Sequence, residues 1–154
     1  MVEVGELVTV TPVDREVHHD VAEVLVRYAT GIDTRDWPLF RTCFADDCQL
    51  DYGARGVWND PDAFTEYFEK VHAPFGHTLH RITNHAVRFN GEGVIARSYF
   101  DAIVMFADNK QVQARAAGYY DDELKRTDHG WKIANRKVVL VDRTVAQQSD
   151  QTLL

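Results

Sequence analysis

The chain has 154 residues, 45% hydrophobic, 27% charged and 11% aromatic, with 17 Lys and Arg against 24 Asp and Glu for a formal net charge of −7. That length fits a single domain that buries about two-thirds of its unfolded surface, while the acidic balance and scattered basic residues argue against a nucleic-acid partner. No apolar run is long enough to cross a bilayer, and the N-terminal MVEVGELVTVTPVDRE has acids where a secretory signal carries basic residues, so a cytoplasmic location is expected.

Residues 12 to 30 read as an amphipathic helix, with Pro12 in its first turn, Asp14 and Glu16 near its positive end, and Val17, Val21, Val24, Leu25 and Tyr28 at helical spacing. Gly31 is the expected stop. A short helix fits DWPLFRTCF, with Asp36 placed to cap it, and a brief strand covers CQLDY. Cys43 and Cys48, five apart, match neither a redox CxxC nor a disulfide framework and are expected as buried free thiols. A third helix begins at NDPDAF, with Asp60 as cap, Pro61 in the first turn, and Phe64, Phe68 and Val71 as its buried stripe.

Beyond HAPFG the pattern changes. Residues 77–89, about 94–107, 111–125 and 131–143 are four β-prone runs separated by turn signals at NG (90–91), ADNK and DHG, which predicts an antiparallel meander. At about 3.3 Å per residue a 13-residue strand reaches roughly 40 Å, too long for a flat sheet in a small domain. The expected fold is therefore α+β, three helices in the concave face of a strongly curved, mainly antiparallel sheet, with a pocket in the concavity. The whole chain, 1–154, reads as one domain with a core of about 12–143, and residues 1–10 and the tail AQQSDQTLL read as arms.

HTLHRITNH, residues 77–85, carries three of the seven histidines. Zinc needs three or four converging ligands, but side chains alternate along a strand, so His77 and His80 face opposite ways, as do His80 and His85. No metal site is expected. On the His80 face lie Ile82, Asn84 and Ala86, pocket-lining types, which single out His80 as the candidate functional imidazole and Asn84 as a substrate-positioning group. A partner is available in RYATGIDTRDW: Asp33 follows the first helix and Tyr28 lies on its apolar face. A carboxylate on one imidazole nitrogen fixes the tautomer and stabilises the imidazolium formed when the other nitrogen takes a proton.

At these residues the chain resembles the SnoaL-like branch of the nuclear transport factor 2-like superfamily, which includes scytalone dehydratase, hexachlorocyclohexane dehydrochlorinase, bile acid dehydratase and polyketide cyclases. The likeness spans about residues 16–143 and is carried by YATGIDTRDWPLFRTCFADD, TLHRITN, GYYDDELKRTDHGWKI and the order of helices and strands. It implies a cone-shaped half-barrel with an apolar cavity, and a site in which Asp33 pairs with His80, with Tyr28, Asp101 and Arg143 matching further positions of bile acid dehydratase. The second histidine that scytalone dehydratase carries on the next strand has no counterpart in SYFDAIVMF.

The resulting expectation is a cofactor-independent lyase of dehydratase type acting on a small, largely apolar cyclic or aromatic substrate. His80 would be the base, Asp33 its orienter and Tyr28 an acid or hydrogen-bond donor. Phe40, Phe44, Phe68, Phe100, Met105 and Tyr119 are candidates for the cavity wall, with plain core packing as their alternative. An isomerase or cyclase, or a non-catalytic ligand-binding or assembly module, are the alternative functions. No glycine-rich phosphate loop is present, and the resemblance implies a homodimer or homotrimer.

Overall fold

The first helix, α1 (Arg15–Thr34), starts where the Asp14 carboxylate accepts a hydrogen bond from the Val17 amide. The computed structural model describes residues 13–147; Pro12 and most of the expected arms lie outside that range. α1 does not stop at Gly31. It continues to Thr34 and ends at Arg35, whose backbone takes φ 60 and donates to the Ile32 carbonyl. Gly31 serves close approach instead, because a Cβ there would lie 2.9 Å from the backbone and Cβ of Phe40. This places Asp33 within the last helical turn rather than after it.

Helix α2 (Trp37–Arg41) is capped by Asp36, whose carboxylate accepts from Leu39, and places Phe40 in the core. Strand β1 (Phe44–Asp51), a single 3-10 turn and the two-residue β2 (Val57–Trp58) lead to helix α3 (Pro61–His72). Asp60 caps α3 through the Asp62 and Ala63 amides, with Pro61 opening the helix. Then come β3 (Phe75–Asn90), β4 (Gly93–Phe106), β5 (Val112–Thr127) and β6 (Gly130–Gln147), each within a few residues of its sequence expectation.

The sheet order is β2-β1-β6-β5-β4-β3. The last four strands form an antiparallel meander, and β1 joins β6 in parallel, so the sheet is mixed and not closed into a barrel. Its long strands are accommodated through irregularities. Between Ala117 and Gly118 the β5–β6 register slips, and a Cβ on Gly118 would lie only 2.0 Å from the Val139 carbonyl oxygen. The three helices cover one face, where Tyr28, Phe40, Phe44, Phe64, Phe68 and Tyr120 pack ring against ring. Cys43 and Cys48 are free and buried within the same core. Among the described residues no helix is long and apolar enough to cross a membrane.

Candidate active site

Asp33 projects from the end of α1 towards β3, and both its oxygens are engaged there. Oδ1 lies 2.7 Å from His80 Nδ1 and accepts from the Thr78 hydroxyl at 2.8 Å; Oδ2 accepts from the His80 backbone amide at 2.8 Å. An ionised carboxylate only accepts, so Nδ1 carries the proton and the Nε2 of a neutral His80 presents a lone pair. Among the described residues Nε2 makes no hydrogen bond, and the imidazole is 10% exposed against 22% for Asp33. Burial pushes the Asp33 carboxyl up, but the hydrogen bonds from the His80 ring and amide, the His80 charge and the Thr78 hydroxyl together outweigh it. The net result is an Asp33 held below its ordinary value.

Arg35 fastens this corner. Its Nη1 donates to the Thr78 hydroxyl at 2.9 Å and to the Ile32 carbonyl, while Nη2 reaches the Gly76 carbonyl at 2.8 Å. The side chain that caps the helix end thus ties α1 to the start of β3 and holds Thr78 where it can donate to Asp33. Thr78 and Arg35 carry no motif signal; only the pairing of α1 with β3 reveals them.

The structure separates the remaining sequence candidates. Tyr28 is 1% exposed, and its hydroxyl lies 3.1 Å from the Tyr52 hydroxyl in the aromatic core. Its ring sits between Phe68 and Tyr120, so its observed bond is to Tyr52 and not to the dyad. Burial raises its hydroxyl well above the ordinary value. Asn84 does not share the His80 face: it is exposed, with φ 53, in a bulge where Asn84 and His85 together oppose one residue of β4. That bulge also reverses the alternation beyond it. His85, expected on the face opposite His80, turns inward and its Nδ1 lies 2.9 Å from the buried Ser98 hydroxyl.

Asp101 faces away from the helices, paired with Arg81 at 2.6 Å and Arg115 at 2.9 Å, and Arg143 stands in the exposed end of β6. Strand parity puts Asp101 on the outer face, away from the dyad. Arg143 pairs with Ala116 in the cross-strand row that runs through Ala102 to His80, which puts it on the His80 side of the sheet, three strands away. Phe40 is fully buried among Tyr28, Phe64 and Phe68, and Phe100 stacks on Tyr120 at 4.7 Å, which makes both core residues. Tyr119 lies on the outer face beneath the Arg97 guanidinium. A groove of about 320 Å³ also occupies that outer face, lined by Gln49, Asp51, Val57, Ile95, Glu123 and Asn135. Its polar groups pair across strands, as Asn135 does with Glu123 at 2.7 Å, and it is remote from His80.

Sequence reasoning missed His72. It ends α3, is 6% exposed, and its ring lies 6.3 Å from that of His80. Nδ1 is 2.8 Å from the Phe68 carbonyl. Burial pushes the imidazole down from its ordinary 6.5 to about 4, with the charges of His80, Arg35 and Arg55 acting in the same direction and the Phe68 carbonyl opposing. A histidine with a lowered folded value stays neutral while the unfolded chain takes up a proton. Stability is therefore lost as pH falls from 6.5 towards 4. His72→Phe is expected to remove about 2 kcal/mol of the fall in stability between about pH 7 and pH 5, read from urea midpoints at the two pH values. Equal pH slopes in the two proteins would contradict this.

Three helices against an open mixed sheet, with a hydrogen-bonded Asp–His pair at the junction of α1 and β3, define an α+β cone fold of the nuclear transport factor 2-like class. The SnoaL-like domain profile matches residues 14–137, and the chain belongs to that family. Rv2910c of Mycobacterium tuberculosis (strain ATCC 25618 / H37Rv) is 27% identical over 118 residues, covering 76% of this chain and 80% of that protein. Among solved structures, Kfla4162 from Kribbella flavida superposes with a TM-score of 0.77 at 20% identity, covering 85% of this chain and 95% of that one. The hexachlorocyclohexane dehydrochlorinase LinA-type3 from Novosphingobium barchaimii LL02 does so with a TM-score of 0.75 at 16% identity, covering 85% and 90%.

Proposed function

We propose that the protein is a cofactor-independent lyase in which His80 abstracts a proton from carbon and an adjacent group leaves. The observation that carries this reading is the 2.7 Å contact between Asp33 Oδ1 and His80 Nδ1. It assigns the proton to Nδ1, directs the basic Nε2 away from Asp33 and places a carboxylate where it stabilises the imidazolium. The electron pair of the broken C–H bond forms the new double bond and expels the leaving group. For a hydroxyl leaving group the imidazolium returns its proton and water departs, so a single histidine serves as base and then as acid. This makes Tyr28, engaged with Tyr52, unnecessary as an acid. A fold relative that is a dehydrochlorinase supports elimination as the reaction type.

The substrate class remains small, largely apolar and cyclic or aromatic, in keeping with the ring-rich interior beside the dyad. The test is a panel of β-hydroxy and β-halo cyclic carbonyl compounds, assayed for double-bond formation by absorbance with wild-type protein and His80→Ala. Turnover by wild type, lost in a folded His80→Ala, is the expected result. A folded His80→Ala variant with full turnover removes His80 as the base. Proton relocation without loss of a group would instead assign an isomerase.

A further inference from the structure

Among the described residues, His72 is the buried histidine next to the dyad that the proposed reaction leaves unused. Its surroundings are apolar: Phe68 stacks on it at 5.2 Å, Phe75 meets it edge-on at 5.7 Å and Trp37 lies at 5.8 Å. Its Nδ1 faces a carbonyl oxygen, which can only accept, so Nδ1 is the protonated nitrogen and Nε2 carries a lone pair. Among the described residues Nε2 has no hydrogen-bond partner. His80 is set up in the same way, with Nδ1 donating to Asp33 and Nε2 open. Two neighbouring imidazoles therefore present acceptors from their distal nitrogens, one contributed by β3 and the other by the end of α3.

The two rings differ in the group behind Nδ1. His80 has a carboxylate there and can hold a proton; His72 has only a neutral carbonyl, and burial keeps it uncharged near neutral pH. A neutral acceptor with no counter-charge is suited to receiving a hydrogen bond and poorly suited to taking the proton outright.

We propose that His72 is a recognition residue of the site, accepting at Nε2 a hydrogen bond from a hydroxyl group of the substrate while His80 acts on an adjacent carbon. This rests on the reading of His80 as the base and deepens it. The substrate is a hydroxylated ring compound rather than a bare hydrocarbon or halocarbon, and the hydroxyl sets which carbon faces His80. A ring lacking the donor would leave a desolvated lone pair unmatched, which is how buried polar groups discriminate most strongly.

Phenol and anisole share a ring and differ in the hydroxyl proton, so they isolate this interaction. Binding is followed by side-chain ¹⁵N shifts of His72 and His80 in wild type, His72→Asn, His72→Gln and His80→Gln, each checked for fold by near-ultraviolet circular dichroism. Asn retains a donor close to the Nδ1 position and lacks a distal acceptor; Gln extends an amide oxygen to the distal position. Wild type is expected to favour phenol over anisole by about tenfold, the factor a shielded neutral hydrogen bond supplies. His72→Asn should lose the preference and His72→Gln should keep part of it. The proposal is overturned if wild type does not discriminate, or if His72→Asn keeps the wild-type ratio. A preference lost in His80→Gln but kept in His72→Asn would show that His80 reads the hydroxyl, overturning the role of His72 and leaving His80 as the candidate base. A preference lost in His72→Asn, alongside full turnover by His80→Ala, supports recognition by His72 while removing the base assignment.

Discussion

Asp122→Ala is expected to cost about 3–5 kcal/mol of folding stability, the penalty for leaving one member of a buried ion pair without its partner. Asp122 and Arg136 face each other across β5 and β6, their side chains 1% and 0% exposed, joined by two hydrogen bonds of 2.7 Å. The guanidinium also lies 4.0 Å from the centre of the Tyr120 ring and 4.5 Å from that of Tyr28. Its remaining nitrogen, Nη1, is buried without a hydrogen-bond acceptor among the described residues. Burial alone would lower Arg136, but the Asp122 charge, with Tyr52 and Tyr28, raises it well above its ordinary value. Removing Asp122 takes away that support, yet a guanidinium is not deprotonated near neutral pH, so a buried charge is left without its partner. The Asp122→Leu, Arg136→Met double variant is expected to recover much of the loss, since it removes both desolvated charges together. Urea unfolding of the three proteins measures this; a loss below about 1 kcal/mol in Asp122→Ala would mean that the pair is not the electrostatic centre of the core.

The pair also illustrates what a linear sequence hides. Asp122 and Arg136 look like ordinary strand charges until the β5–β6 register places them opposite each other on the face beneath the helices. Periodicity made the elements legible, because each helix opens on an Asp cap and the first three strands of the meander, β3, β4 and β5, end in turn residues. The dyad was legible for a related reason: His80 falls before the bulge at Asn84 and His85, where alternation still holds, and Asp33 lies in the last turn of α1, whose helical period is unbroken. Within the bulge, one inserted residue exchanged the faces of Asn84 and His85. Gly31 misled because a glycine required for close packing against Phe40 looks the same in sequence as one that ends a helix. His72 gave no signal, since an imidazole on the last turn of an amphipathic helix acquires its neighbour only when the C-terminal end of α3 meets β3.

Asp33→Asn and His80→Ala are each expected to lower kcat by about 10²–10⁴-fold, and the double variant is expected to be no slower than the slower single. The non-additivity comes from the geometry. Among the described residues Asp33 is the group bonded to His80 Nδ1, and it also accepts the His80 amide and the Thr78 hydroxyl. Asparagine in its place can turn its amide nitrogen towards Nδ1, which moves the imidazole proton to Nε2 and removes the basic lone pair from the reacting side. Once His80 is absent, Asp33 has no imidazole left to orient, so its replacement has nothing further to take away. Thr78→Val is an internal control, because it removes one donor to Asp33 while leaving both contacts with His80, and should cost less than either. Fully multiplicative losses in the double variant would indicate that Asp33 acts on the substrate independently of His80, and the two would then be separate catalytic groups rather than a dyad.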